Sequence, residues 1–456
     1  MNRLLLCTLL LVFSIGTSAQ SPLQTYIQEA LDNNIALQRK HLSYEKSLQA
    51  LKEAKANFLP QFSLEARYSV ARGGRTIDFP LGDLMNPVYQ NLNLINQLGQ
   101  STTPDYPVIP TYENIDNVAI NFLRREEQET KFRAVMPVFN NAIWVNQNVK
   151  ENLAEVDRIN IDTYKKELSK EVKLGYFNYA KALEAQQLYN NTLKLVQENL
   201  RTTQRLFENH KLTKDAVYLA EAQVREVERQ IAEADKNLKV AQAYFNFLLN
   251  KPYETPIQVG DDPYPIQEVG SVDLARDQAE QARDELQQFN YFLAIADQNV
   301  DLNRGALLPE INLVADYGIQ GTRYTFRSED DYFMGSLVMS WKLFQPANKS
   351  KIQQAKIDKL ERAQQKEELK QQIGLQVVQA WYDVEAAQKV VTQTDAEKIA
   401  TQSAFRLVNK RFLQGQANLV EWMDARTRMT NAEQGHIIAR FDYQGKVAVL
   451  ERAIGQ

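Results

Sequence analysis

The chain has 456 residues, more than one ordinary domain holds, of which 44% are hydrophobic and 24% charged. Both charge signs are interleaved along it, which argues against a disordered polymer. The formal charge of −4 and a pI of about 5.7 exclude the basic footprint of a nucleic-acid binder.

The first residues read as an export signal. Arg3 supplies a positive start, Leu4 to Ile15 an apolar run, and Thr17-Ser18-Ala19 small residues before Gln20. Cleavage after Ala19 would remove Cys7, the single cysteine, and with it disulfides and cysteine-ligated metals. No later segment reaches the run of about 18 apolar residues that a spanning helix needs. If the mature chain enters a membrane, it must do so as part of a closed β-barrel.

Residues 24–57 then read as helix. A first strand follows over about 59–70, where Phe62, Leu64, Ala66, Tyr68 and Val70 alternate with Ser63, Glu65, Arg67 and Ser69. Residues 71–128 contain five prolines, Gly73-Gly74 and many asparagines. They read as a long loop with a short helix near residues 92–98. The second strand, about 129–139, sets Phe132, Ala134 and Met136 against Lys131 and Arg133. Residues 142–208 contain no proline and one glycine, and predict a helix about 100 Å long. A further helix covers 214–249. A proline-rich linker, 258–272, separates this first copy, 20–257, from a second, 273–456.

The second copy repeats the first. Leu59-Pro60-Gln61-Phe62 is echoed 249 residues later by Leu308-Pro309-Glu310-Ile311. Met136-Pro137-Val138-Phe139 is echoed by Trp341-Lys342-Leu343-Phe344, Tyr176-Phe177 by Trp381-Tyr382, and Phe207 by Phe412, all at an offset of 205. A constant offset marks duplicated structure. The second copy predicts a helix over 273–306, strands over 309–320 and 332–344, a long helix over 348–414 and a last one over 418–454. Its strands carry Asp316 and Lys342 on the polar side.

Each strand run is 9–11 residues, enough for a tilted membrane stave, with one apolar face and one bearing Glu65, Arg67, Lys131, Arg133, Asp316 and Lys342. An ordinary half-buried sheet shows the same alternation. Four staves cannot close a barrel, because the smallest closed single-chain barrels have about eight. A barrel reading therefore predicts an oligomer. The long helices carry apolar residues at spacings of three and four, including Leu188, Thr192, Leu195, Leu360, Ile373 and Val377. Their flanks are rich in Glu, Lys, Gln and Ala, as in coiled coils. A globular helical bundle would show similar periodicity.

Three features together resemble the TolC-like outer membrane efflux family. They are the run Ala54-Lys55-Ala56-Asn57-Phe58-Leu59-Pro60-Gln61-Phe62 with its echo at Leu308-Pro309, the doubled strand–strand–long-helix order, and the segment from Phe412-Leu413-Gln414-Gly415-Gln416 to Asn418-Leu419-Val420-Glu421-Trp422-Met423-Asp424-Ala425-Arg426. The resemblance implies a mainly α chain with membrane β: long coiled-coil helices in a periplasmic α-barrel, and four strands per chain in a trimeric 12-stranded barrel. It implies an outer-membrane homotrimer of a Gram-negative bacterium, contacting outer-membrane lipid and passing cargo from an inner-membrane transporter and a periplasmic adaptor to the exterior. The turns at Asn209, His210 and Lys211 and at Gln414, Gly415 and Gln416 are then the adaptor contacts. Glu421 and Asp424 would ring the periplasmic constriction. His210 departs from the glycine usual in the first turn, and Ala417 stands where some members carry an arginine that locks the tip. Two other readings share a signal segment and long helices: a periplasmic adaptor and a structural coiled coil of the envelope.

His41, His210 and His436 are the three histidines, and none has a second at metal-ligand spacing. No nucleophile elbow, phosphate-binding glycine loop or dinucleotide fingerprint is present. The sequence predicts no cofactor, no metal and no enzyme.

Overall fold

A computed structural model describes residues 22–260, 270–324, 327 and 329–456. The expected signal segment, 1–19, and most of the expected linker lie outside them. In chain order, helices α1 (Pro22–Asn33) and α2 (Ile35–Ala56) lead into strand β1 (Gln61–Val70). Then come β2 (Thr76–Phe79), α3 (Leu81–Thr102), β3 (Val118–Asn121) and β4 (Glu126–Phe139). Helices α4 (Asn141–Glu208) and α5 (Lys214–Leu248) complete the first copy. The second consists of α6 (Val272–Ala282), α7 (Asp284–Gly305), β5 (Glu310–Gly321), β6 (Asp331–Ser340), α8 (Pro346–Leu413) and α9 (Leu419–Ala453).

The duplication is kept to the residue at several element boundaries. The starts of α2 and α7, and of β1 and β5, differ by 249. Both ends of α4 and α8, and of α5 and α9, differ by 205. The helices before the strands are broken where the sequence suggested one continuous helix each. The breaks fall at Asn34 and Arg283, again 249 apart. Asn34 donates from Nδ2 to the Leu248 carbonyl (3.0 Å) and accepts from the Leu37 N–H (3.1 Å). Arg283 donates from Nη1 to the Ala453 carbonyl (3.1 Å). In each copy a polar side chain leaves its own helix to satisfy a C-terminal carbonyl of the copy's last helix. That need breaks the helix, and hydrophobic periodicity does not report it.

The chain divides into two compact units. The helical unit comprises residues up to 52, 145–303 and 349–456. One of its cores gathers Ile27, Leu37, Val172, Tyr176 and Phe245; a second gathers Ala279, Ile373, Val377, Val384 and Tyr443. The matching residues Val172 and Val377 sit at offset 205 and are both fully buried. Leu360, expected in a buried seam, is exposed, as are Ile357, Leu375, Val390, Ile399 and Leu407 on the same helix.

The other unit holds residues 53–144 and 304–348. Its main sheet is antiparallel in the order β1-β4-β5-β6. The pairing β4–β5 joins the last stave of one copy to the first of the next, with a bulge between Pro137 and Phe139. Residues 71–125 are more ordered than the expected loop. β2 and β3 pair, and α3 runs for 22 residues rather than the short stretch near 92–98. Pro87 sits within α3, and breaker counting therefore undercalled it.

Candidate strand face and helical tip turns

The sheet sorts its side chains by the pleat. Register aligns Leu64, Phe132, Tyr317 and Phe333 in one row across all four strands, and Phe62, Ala134, Ala315 and Gly335 in the next. Phe62, Leu64, Phe132, Phe333 and Leu337 are all more than 60% exposed, so this face is apolar and uncovered in the single chain.

The opposite face is ionic. Glu65 lies across from Lys131, Arg67 from Glu129, and Arg133 from Asp316. Arg133 grips Asp316 with two bonds, Nε to Oδ1 and Nη2 to Oδ2, each 2.8 Å. Arg133 also lies 3.3 Å from Glu65, Lys131 lies 2.9 Å from Glu129, and Arg67 lies 3.3 Å from Glu129. Three carboxylates meet three cations, so the patch has no net charge. Five of the six expected polar-face residues join it. Lys342 does not, because β6 ends at Ser340 and Lys342 lies beyond it, outside the sheet. Glu129, the hub for Lys131 and Arg67, was not singled out from the sequence. Its place on the Lys131–Arg133 face at period two was the available signal.

The helical unit ends its long helices in two equivalent turns. The first, after α4, has His210 at φ 55°; the second, after α8, has Gly415 at φ 72°. Their hydrogen bonds match. His210 N–H reaches Phe207 O and Lys211 N–H reaches Leu206 O, both 2.8 Å. Gly415 N–H reaches Phe412 O (3.0 Å) and Gln416 N–H reaches Arg411 O (2.8 Å). This is the Schellman closure, which asks for a left-handed residue after the helix. Glycine adopts that conformation freely, whereas His210 does so at a cost of about 1 kcal/mol. Asn209 donates back to Arg205 O (2.7 Å), and Gln416 O accepts from Arg411 Nη2 (3.1 Å).

Beyond the second turn, Asn418 caps α9 by accepting from the Glu421 N–H (2.8 Å). Glu421 and Asp424, one helical turn apart, share an exposed face. Each has a cation: Arg411 Nη2 lies 3.6 Å from Glu421, and Arg428 Nε 2.9 Å from Asp424. Between them in sequence, Trp422 points inward. It is 1% exposed, packs edge-on to Phe405 and donates from Nε1 to Asn409 Oδ1 (2.8 Å). Arg426 is buried nearby, donates to Gln223 and Thr427, and leaves its Nε without an acceptor. Burial pushes its guanidinium pKa down. The sequence reading counts both residues in the segment that carries the resemblance but gives neither a role, since an aromatic and an arginine on an amphipathic helix read as ordinary surface pattern.

Among the described residues no group of three His, Cys, Asp or Glu side chains could hold a metal, and no helix is long and apolar enough to cross a membrane.

Comparison with known proteins agrees with this geometry. Residues 275–456 match the family model described as outer membrane efflux protein. The Escherichia coli (strain K12) outer membrane protein TolC is 20% identical, over 97% of this chain and 84% of TolC. Crystal structures of CusC superpose with a TM-score of 0.76 at 15% identity, covering 95% of this chain and 92% of that one. The Neisseria gonorrhoeae MtrE outer membrane channel gives 0.71 at 19%, covering 95% and 89%. The fold is thus that of the TolC-like channels. Residues 275–456 match the outer membrane efflux protein domain, and the whole chain is similar to the TolC-like outer membrane channels.

Proposed function

We propose that three copies of this chain form a passive exit duct. Each contributes β1, β4, β5 and β6 to a 12-stranded barrel, and the α4–α5 and α8–α9 pairs to a periplasmic tunnel. The observation that carries this reading is the sheet. One face is apolar and uncovered, the other is ionic, and the outer strands β1 and β6 have backbone groups to offer a neighbour. Lipid suits the first face and water the second. The uncovered apolar residues along α8 support neighbours for the helices as well.

In this assembly Glu421 and Asp424 line the periplasmic constriction as six carboxylates, which favours cations. The turns at Asn209–Lys211 and Gln414–Gln416 meet a periplasmic adaptor that couples the duct to an inner-membrane transporter. The balanced ion pairs of the barrel wall add no net field, so selectivity falls to the tip. The signal segment 1–19 delivers the chain, and the two repeats, 20–257 and 273–456, are the folding copies.

Single-channel conductance of the purified mature protein in planar bilayers tests the proposal. Discrete cation-selective conductance that rises in the Glu421→Ala/Asp424→Ala variant is expected. Silence from both proteins, or a monomer mass by light scattering in detergent, refutes it. Release from envelopes as a soluble protein without detergent would point instead to an adaptor.

A further inference from the structure

The segment between β1 and β4 is built to present one helix face. Residues 103–117 are fastened along α3 by asparagines. Asn86 donates to Ile115 O (2.9 Å) and accepts from Ile115 N–H (2.8 Å). Asn93, seven residues on, does the same with Tyr112 at 2.7 and 2.8 Å. Tyr89 stacks on Tyr112, Asn117 pairs with Asp83, and Gly82 and Gly99 leave no room for a Cβ against Ile115 O and the Tyr106 ring. Asn86, Tyr89 and Asn93 recur at spacings of three and four, so one face of α3 is committed to this segment, and Asn96, three residues on, is buried on the same face.

The opposite face is Leu84, Val88, Asn91, Ile95 and Leu98. All five are exposed, and the four apolar ones are each about half-exposed or more. Their spacings are 4, 3, 4 and 3, the repeat of a coiled-coil seam, and the fastened residues fall on the two positions farthest from it. The helix carries one charge, Asp83, and no cation. A membrane-surface helix relies on a basic polar face toward the headgroups. Here the polar face is already occupied by 103–117. A lone polar residue in an apolar seam, as Asn91 is, fixes register and partner number at some cost in stability.

The segment grows from β1, an outer strand of the sheet. In a closed ring of copies the β1 edge is a joint, and every copy delivers one such segment to the same rim. We propose that the α3 helices of three copies pack through Leu84, Val88, Asn91, Ile95 and Leu98 into a three-helix cap over the outer mouth. The proposal rests on the trimeric reading above.

Cysteine crosslinking tests it cleanly, because the single native cysteine, Cys7, lies in the expected signal segment. The full mature chain carrying Ile95→Cys is purified, its mass measured by light scattering, and oxidised with copper phenanthroline. Disulfide-linked dimers are expected to take up to about two of every three chains, since a threefold seam leaves one thiol without a mate. Leu98→Cys, the next seam position, should behave alike. Gln97→Cys, off the seam, should stay uncrosslinked. Trimer mass with no dimer from either seam variant overturns the cap and leaves the trimer standing. A bimane label at Ile95→Cys that shifts blue only in lipid vesicles, without crosslinking, also overturns it and assigns the face to lipid. A monomer mass sinks cap and trimer together.

Discussion

Replacing Asp316 with alanine should destabilise the strand unit more than any other single change on its ionic face. Asp316 is 0% exposed, and both its oxygens lie 2.8 Å from Arg133. Lys131 stands 4.0 Å away. Breaking a buried pair by removing one partner costs about 3–5 kcal/mol, mostly from the stranded charge. Arg133 is 31% exposed and keeps Glu65 at 3.3 Å, so its loss is softened. An expected cost of about 2–3 kcal/mol follows, at or just under the low end of that range. The double variant Asp316→Leu/Arg133→Met strands no charge at the pair, and should lie within about 1 kcal/mol of wild type. Urea unfolding in detergent, followed by tryptophan fluorescence, of wild type, Asp316→Leu, Arg133→Met and the double variant supplies the four corners of the cycle. A cost below about 0.5 kcal/mol for Asp316→Ala, or simple additivity in the cycle, would refute the view that the pair is a mutually dependent buried unit.

Trp422→Ala should cost about 3–5 kcal/mol, since it empties the core between Phe405 and Phe412; the readout is thermal unfolding of the helical unit together with raised conductance through a loosened tip. At the turns the two residues should respond oppositely: His210→Gly should stabilise by about 0.5 kcal/mol, the left-handed penalty removed less the entropy glycine adds to the unfolded chain, while Gly415→Ala should destabilise by about 1 kcal/mol. Melts that move the same way for both would contradict the shared geometry. His436 faces Thr394, Asp395 and Lys398 of α8, Arg440 on its own helix and, through Arg440, Glu184 of α4. Burial, followed by the Lys398 charge, holds its pKa below the ordinary 6.5. The unfolded chain therefore binds the proton more readily. Stability should be complete above about pH 6.5 and fall as the pH drops below it, then level off beneath the folded pKa. His436→Gln should flatten that part of the pH profile, and an unchanged slope would exclude the histidine as its source.

The fold was largely legible because it is written twice. The strand alternation at 62–70 and 311–319, and proline-free helices at matching offsets, are redundant signals of pattern. What stayed hidden depends on partners far away in sequence. The breaks at Asn34 and Arg283 exist to reach Leu248 and Ala453, more than 160 residues on. Nothing local distinguishes these two polar residues from their neighbours on helix surfaces. The segment 71–128 looked like loop because asparagine and proline are turn formers. Here the asparagine amides act as surrogate backbone, pairing with Tyr112 and Ile115 as a strand would. At the tip, the resemblance pointed to Glu421 and Asp424, and their spacing put both on one helix face. The arginine beside Glu421 stayed hidden, because Arg411 comes from the other side of the turn.

In the proposed trimer, Arg411 and Arg428 bear on what the constriction can do. Six carboxylates with a cation beside each would present much less field than six bare ones. Both pairs are solvent-exposed, at 3.6 Å and 2.9 Å, and such pairs are worth about 0–1 kcal/mol. Holding the arginines in place is therefore weak, and they can yield when a cation enters. Removing them should sharpen selectivity without unfolding the tip. Arg428→Ala frees Asp424 alone and is expected to raise the cation-to-anion permeability ratio while the melting temperature stays put. Arg411→Ala removes the partner of Glu421 and also the bond to Gln416 O, so the same rise should come with a slightly looser turn. Reversal potentials under a salt gradient measure both. If Arg428→Ala left the ratio unchanged while Asp424→Ala lowered it, the arginine would not be screening that carboxylate, and the pairing in the single chain would not persist in the assembled pore.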